Sequence, residues 1–242
     1  MPHGHPDWGA SAQLSSVYSL QDLAELAARL GSIDSFDRRG NVIFLDDFEA
    51  GLSRWEVGTY GTGAAAVVSV YRSHSGAYAA KLTTGSDGDQ AIEIRRQIPR
   101  PVAGKIGLEF SWAWDGPLWC VVVSLNLFNG ATYDHYVVAF YRSTDLITLG
   151  DDAGVAQTIA SGLLMQTDHL MFHTAKLVVD TESRKYVRLL FDRNSYDLSA
   201  YGCQAIADAS TPRLVLLIGS WGNTANNIDT YVDDVIVTQN ED

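Results

Sequence analysis

The segment Thr230-Tyr-Val-Asp-Asp-Val-Ile-Val-Thr238 decides the reading of this chain. Its β-branched and aromatic residues suit a pleated, half-buried surface, so it reads as a closing strand. It mirrors Val42-Ile-Phe-Leu-Asp-Asp-Phe-Glu49, which also sets acids among large apolar residues. Between the two, helical periodicity disappears and thirteen apolar runs, from 42–49 to 228–238, alternate with turn signals. That pattern predicts an all-β, two-sheet antiparallel sandwich whose first and last strands meet.

Two hairpins stand out. Asn129-Gly130 separates Val121-Val-Val-Ser-Leu-Asn-Leu-Phe128 from Ala131-Thr-Tyr-Asp-His-Tyr-Val-Val-Ala-Phe-Tyr141, and predicts a type I′ turn. Ala175, Leu177 and Val179 alternate into the polar turn Thr181-Glu-Ser-Arg-Lys185, and Val187, Leu189 and Phe191 resume the alternation on the same face. Ahead of the strands, residues 1–18 read as an extended arm. Ser19 then caps a short amphipathic helix with Leu20, Leu23, Ala24, Ala27 and Leu30 on one stripe. The expected organisation is therefore an arm and helix over residues 1–40 and one sandwich domain over 41–242.

Composition narrows the function classes. Asp and Glu outnumber Lys and Arg 29 to 17, a net charge of −12, which argues against a nucleic-acid partner because phosphate contact needs clustered cations. Acidity suits a cation or a neutral ligand. Two cysteines, Cys120 and Cys203, set up no disulfide framework and are expected as buried thiols. No window approaches the ~18 apolar residues that span a bilayer. The start Met-Pro-His-Gly-His lacks the basic and apolar regions of a secretory signal, so the chain is expected to be cytoplasmic, virion-associated or released by lysis.

Several segments resemble the concanavalin-A-like jelly roll and its relatives among carbohydrate-binding modules. Asp46-Asp-Phe-Glu-Ala-Gly-Leu-Ser-Arg-Trp55 is similar to the opening strand and turn of such modules, and Ser73-His-Ser-Gly-Ala-Tyr-Ala-Ala-Lys-Leu82 to the Ser-Gly strand after it. His173 to Asp192 resembles their late strand pair, and Tyr231 to Val237 their final strand. The resemblance spans 42–238. It implies a structural calcium held by Asp47, Glu49 and Asp233 or Asp234, with backbone oxygens near Ser75 and Gly76. Adjacent carboxylates repel, and a hard cation with six to eight oxygen ligands relieves that repulsion.

Saccharide recognition needs aromatic faces flanked by amides and carboxylates. Ser111-Trp-Ala-Trp-Asp-Gly-Pro-Leu-Trp119 supplies Trp112, Trp114 and Trp119, and Ser220-Trp-Gly-Asn-Thr-Ala-Asn-Asn227 joins Trp221 to Asn223. Tyr133 and His135 follow the Asn-Gly turn. The competing reading for each tryptophan is core packing. Glu93-Ile-Arg-Arg-Gln-Ile98 resembles an Arg-rich strand of alginate-lyase-type sandwiches, without the Gln, His and Tyr motifs of that set, and reads as a solvated strand. No paired-acid motif of glycoside hydrolysis, histidine cluster, nucleophile elbow or phosphate loop is present.

The expectation is a non-catalytic jelly-roll module that recognises a saccharide or a protein surface. The alternatives are a structural part of a larger assembly, such as a virion decoration, collar or tail protein, docking or oligomerising through residues 1–40, and a glycan-cleaving enzyme.

Overall fold

The computed structural model describes residues 37–86, 91–116, 118–163, 165, 171–222 and 227–242. The arm, the helix expected after Ser19, and Asn223 lie outside the described residues. The strands in chain order are β1 (Asn41–Asp46), β2 (Glu56–Tyr60), β3 (Ala65–Ser69), β4 (Ala79–Thr83), β5 (Ala91–Pro99), β6 (Lys105–Asp115), β7 (Cys120–Phe128) and β8 (Thr132–Tyr141). They continue with β9 (Leu146–Gly150), β10 (Ala156–Ser161), β11 (His173–Asp180), β12 (Lys185–Phe191), β13 (Asn194–Asp197), β14 (Gln204–Ala207), β15 (Arg213–Trp221) and β16 (Asp229–Gln239).

The strands form two antiparallel sheets of eight. The back sheet runs β13-β12-β11-β6-β16-β4-β3, with β1 beside the second half of β16. The front sheet runs β10-β9-β8-β7-β15-β5-β2, with β14 on β8. This is the jelly-roll sandwich, and its first and last strands do meet, Phe44 opposite Val237 and Asp46 opposite Val235. Alternation explains the core. On β6, Ile106, Leu108, Phe110, Trp112 and Trp114 point inward, opposed by Val121, Val123, Leu125, Leu127, Tyr136, Val138 and Phe140 of the front sheet.

Both expected hairpins form, each with a local correction. Of the Asn129-Gly130 pair, Gly130 takes positive φ (98°), while the Asn129 side chain accepts the N–H groups of Ala131 and Thr132 at 2.9 Å. The amide side chain thus stands in for turn backbone, and the loop is not type I′. In the second hairpin the pairing slips between Val178 and Val179, so Tyr186 rather than Val187 enters the core. Its buried hydroxyl accepts from Val137 N–H and donates to Gly150 C=O, both at 2.8 Å, and so ties the two sheets together. The short strands β9 and β14 were not among the expected runs.

The two outer faces differ. The outward side chains of the central back-sheet strands are covered: Glu109 and Ser111 of β6, Lys176 and Val178 of β11, and Tyr231, Ile236 and Thr238 of β16 are all buried. Residues 70–78 lie over the half near Asp233. Residues 37–40 and the C-terminal tail lie over the half near Lys176, whose ammonium donates to the carbonyls of Asp37 and Arg39 and pairs with Glu241 at 2.7 Å. The outer face of the front sheet keeps Arg95, Val122, Asn126, His135, Val137, Tyr141, Leu217 and Trp221 partly exposed.

Candidate functional site

The acids expected to bind calcium are placed by a turn and a bulge, not by strand alternation. β1 ends at Asp46, and Phe48 takes φ 58°, so Asp47 and Glu49 sit in a turn instead of sharing a strand face. Asp46, the acid the sequence reading passed over, is buried and braces that turn by accepting from Phe48 N–H at 3.0 Å and Trp55 Nε1 at 3.1 Å. In β16 a bulge between Asp233 and Ile236 puts Asp234 at φ 50° and buries both adjacent carboxylates.

Protein donors meet these acids. Asp233 accepts from the N–H groups of His74 at 2.7 Å, Ser75 at 3.1 Å and Asp234 at 2.8 Å. Asp234 meets His74 Nδ1 and Ser75 Oγ, each at 2.6 Å. Glu49 accepts from Ala77 N–H at 2.6 Å and Tyr78 N–H at 2.9 Å. Burial, followed by repulsion from Asp234, pushes the Asp233 carboxyl up to about 7. Calcium would need oxygen lone pairs where these donors stand, so the set does not fit the ion as arranged. Among the described residues no three His, Cys, Asp or Glu side chains form a group able to hold a metal. The acids instead clamp residues 74–78, including Ser75 and Gly76, to the back sheet.

The aromatic residues separate into core and surface. Trp112 (1 % exposed) and Trp114 (4 %) share a face, as expected, but it is the inner one. Trp112 packs against Phe110, Phe140, Phe191 and His173, which corrects the expectation that it and Trp114 stack on a ligand. Trp221 and Trp119 are partly exposed at one end of the front sheet, joined by the bond from Trp119 N–H to Trp221 C=O, with Tyr141 edge-on to Trp119 at 5.8 Å. Register places Tyr60, Ala91, Trp221, Cys120, Tyr141 and Leu146 in one row across the outer face. Gly219 makes room for the row: a Cβ there would collide with the Trp221 ring, which folds back along β15.

Beside that ring lies a polar cluster. Glu93 is 4 % exposed, so the solvated-strand reading fails for it. Its side chain lies across Gly58, accepts from Tyr60 Oη at 2.6 Å and pairs with the Arg95 guanidinium, which also reaches Tyr60 Oη at 2.5 Å. The hydrogen bond to Glu93, with burial, raises the Tyr60 phenol above its ordinary value. Across an apolar floor of Leu217, Val122 and Val137, His135 Nδ1 bonds Asn126 Oδ1 at 2.6 Å. Burial lowers the His135 pKa, which leaves Nε2 as an acceptor. Tyr133 stacks on Phe128 at 4.8 Å, at the far end of the same face. Cys120 is a free thiol whose pKa burial pushes up to about 12, and Cys203 is also free and buried.

The structure thus gathers Trp119, Trp221, Tyr133 and His135 on one face and adds Tyr60, Glu93, Arg95, Asn126 and Tyr141. The added residues were legible only as strand alternation; their cross-strand neighbours depend on register. A separate cavity of about 460 Å³ lies between turns at the opposite end, lined in part by Asp152, Arg184, Lys185 and Cys203.

No family model matches the chain, and no curated protein matches it significantly. Solved structures do. An endo-β-1,4-glucuronan lyase from the fungus Trichoderma reesei superposes with TM-score 0.53 at 10 % identity, over 82 % of this chain and 95 % of the lyase. A protein of unknown function with a galectin-like fold from Bacillus subtilis gives 0.53 at 9 % identity, over 83 % and 97 %. TmCBM61, solved with β-1,4-galactotriose, gives 0.40 at 15 % identity, over 79 % and 92 %. The two superpositions at TM-score 0.53 show a shared jelly-roll fold, and at these identities they show the fold alone.

Proposed function

We propose that this protein is a non-catalytic saccharide-binding module whose ligand lies on the outer face of the front sheet. One observation carries the reading: among the described residues the centre of the back sheet is covered by loops and tail, whereas the front sheet keeps partly exposed an apolar floor edged by Trp221, Trp119 and Tyr141 and by polar side chains. Aromatic faces match the apolar faces of pyranose rings. Tyr60, Glu93, Arg95, Asn126 and His135 offer donors and acceptors for sugar hydroxyls. The test is binding to a panel of polysaccharides with wild type and Trp221→Ala. The expected result is binding that the substitution weakens at least tenfold with an unchanged melt. No binding by folded wild type to any member of the panel overturns the reading.

A second reading, glycan cleavage, draws on the Tyr60, Glu93 and Arg95 cluster, since a buried acid beside a phenol and a guanidinium joins groups used in acid–base catalysis. Fragment release from a bound polysaccharide, abolished by Glu93→Gln, would establish it. The resemblance implies calcium on Asp47, Glu49 and Asp233 or Asp234. The ion requires residues 74–78 to turn their N–H groups away. Excess chelator is expected to leave the melting temperature unchanged, and a fall would restore the ion.

A further inference from the structure

Resting on the saccharide reading above, the charge arrangement of the front face assigns it a ligand class: we infer that it accepts neutral glycans and rejects uronic-acid chains, with Glu93 as the residue that enforces the choice. The strand residues sharing the outer face can be read off the register of β2, β5, β15, β7, β8 and β9. Their side chains include two guanidiniums, Arg95 and Arg213. Arg213 sits at the far end, 4.1 Å over the Phe128 ring, and donates to Thr211 C=O at 3.0 Å. Arg95, opposite Leu217, is already engaged by Glu93 and Tyr60.

That engagement decides what Arg95 can offer. A guanidinium recognises a carboxylate through paired, parallel N–H donors, and here at least one of those donors is directed at Glu93. A uronate drawing Arg95 away would leave Glu93 buried without its cation, a strongly unfavourable state. If Arg95 stayed in place, the incoming carboxylate would approach a carboxylate of like charge in a poorly solvated site. Glu56, opposite Arg95 on β2 and bonded to Gln97 at 2.8 Å, adds a second negative charge on that side. His135 contributes no compensating cation, because its burial disfavours the charged form. A hydroxyl meets none of these costs. It donates to Glu93 or His135 Nε2, or accepts from an outer Arg95 N–H, without disturbing the pair.

The experiment is titration calorimetry of the full chain against two sets of oligosaccharides. The neutral set is cello-, xylo-, manno- and β-1,4-galacto-oligomers. The acidic set is β-1,4-glucuronan, alginate and polygalacturonate oligomers. Wild type is expected to bind a member of the neutral set at least tenfold more tightly than any of the acidic set. Glu93→Gln, nearly isosteric, releases Arg95 and is expected to raise affinity for an acidic oligomer at least tenfold, in a salt-sensitive way. Wild-type binding to an acidic oligomer as tight as to the best neutral one overturns the inference and leaves the saccharide reading standing. A folded Glu93→Gln protein with no gain for the acidic set overturns the role of Glu93. Absence of binding to both sets overturns the saccharide reading, and the inference with it.

Discussion

Asp233 carries the chain's sharpest pH prediction. Its carboxyl is raised to about 7, against the ordinary carboxylate value near 3.9, by burial and by Asp234. Between those two values the folded protein holds a proton that the unfolded chain has lost. Stability from this group is therefore complete below about pH 4 and is lost as pH rises through about 7, by an amount on the order of a few kcal/mol. Asp234 and His74 face the same spot, so the comparison that isolates Asp233 is Asp233→Asn. Urea midpoints at pH 4.5 and 8.0 should fall more for wild type than for Asp233→Asn. Equal falls would mean that the three N–H donors to Asp233 keep it ionised throughout. The acids at 46–49 and 233–234 were conspicuous in the sequence, and the resemblance set Ser75 and Gly76 beside them; that this segment turns N–H donors rather than oxygens toward them was not legible, because a bulge and a positive φ at Asp234 override strand alternation.

Among the elements, the clamp on the back sheet is the most exacting. Lys176 of β11 is fully buried, and its ammonium is satisfied by Glu241 and two carbonyls of residues 37–39; Glu241 in turn receives Arg188 of β12 at 2.8 Å. Desolvating an ammonium is tolerable only while its partners stay in place. Glu241→Ala should therefore cost about 3–5 kcal/mol in a urea melt. A loss below about 1 kcal/mol would show that water or Asp37 substitutes for the missing carboxylate. The clamp was invisible in the sequence, where nothing local marks Lys176 and Glu241 as partners. Their burial follows from two chain ends converging on one sheet face.

For the molecule as a whole, that convergence bears on where the folded domain starts. Residues 37–40 precede the expected domain start at 41 and cap the buried Lys176. A chain of residues 37–242 should thus be more stable than one of 41–242, by about 2–3 kcal/mol for hydrogen bonds to a charged group, or roughly 5–10 °C in Tm at this size. Matching melts for the two would place the effective start of the domain at β1.

The sequence by itself determined the all-β class, most strands, both hairpins and the meeting of the first and last strands. The class, the strands and the hairpins follow from period-two alternation and turn chemistry, which are local, and the meeting of the end strands from their mirrored pattern of acids among large apolar residues. Only the tertiary structure decided which faces are sealed. Trp112 and Trp221 are equally aromatic in the sequence, and one packs inside the sandwich while the other is partly exposed on its front. Glu93 and Arg95 alternate like any surface pair until β2 and β15 flank them with Tyr60 and Trp221. Sidedness depends on which strands become neighbours and where the loops and tails return, and that is a property of long-range contacts.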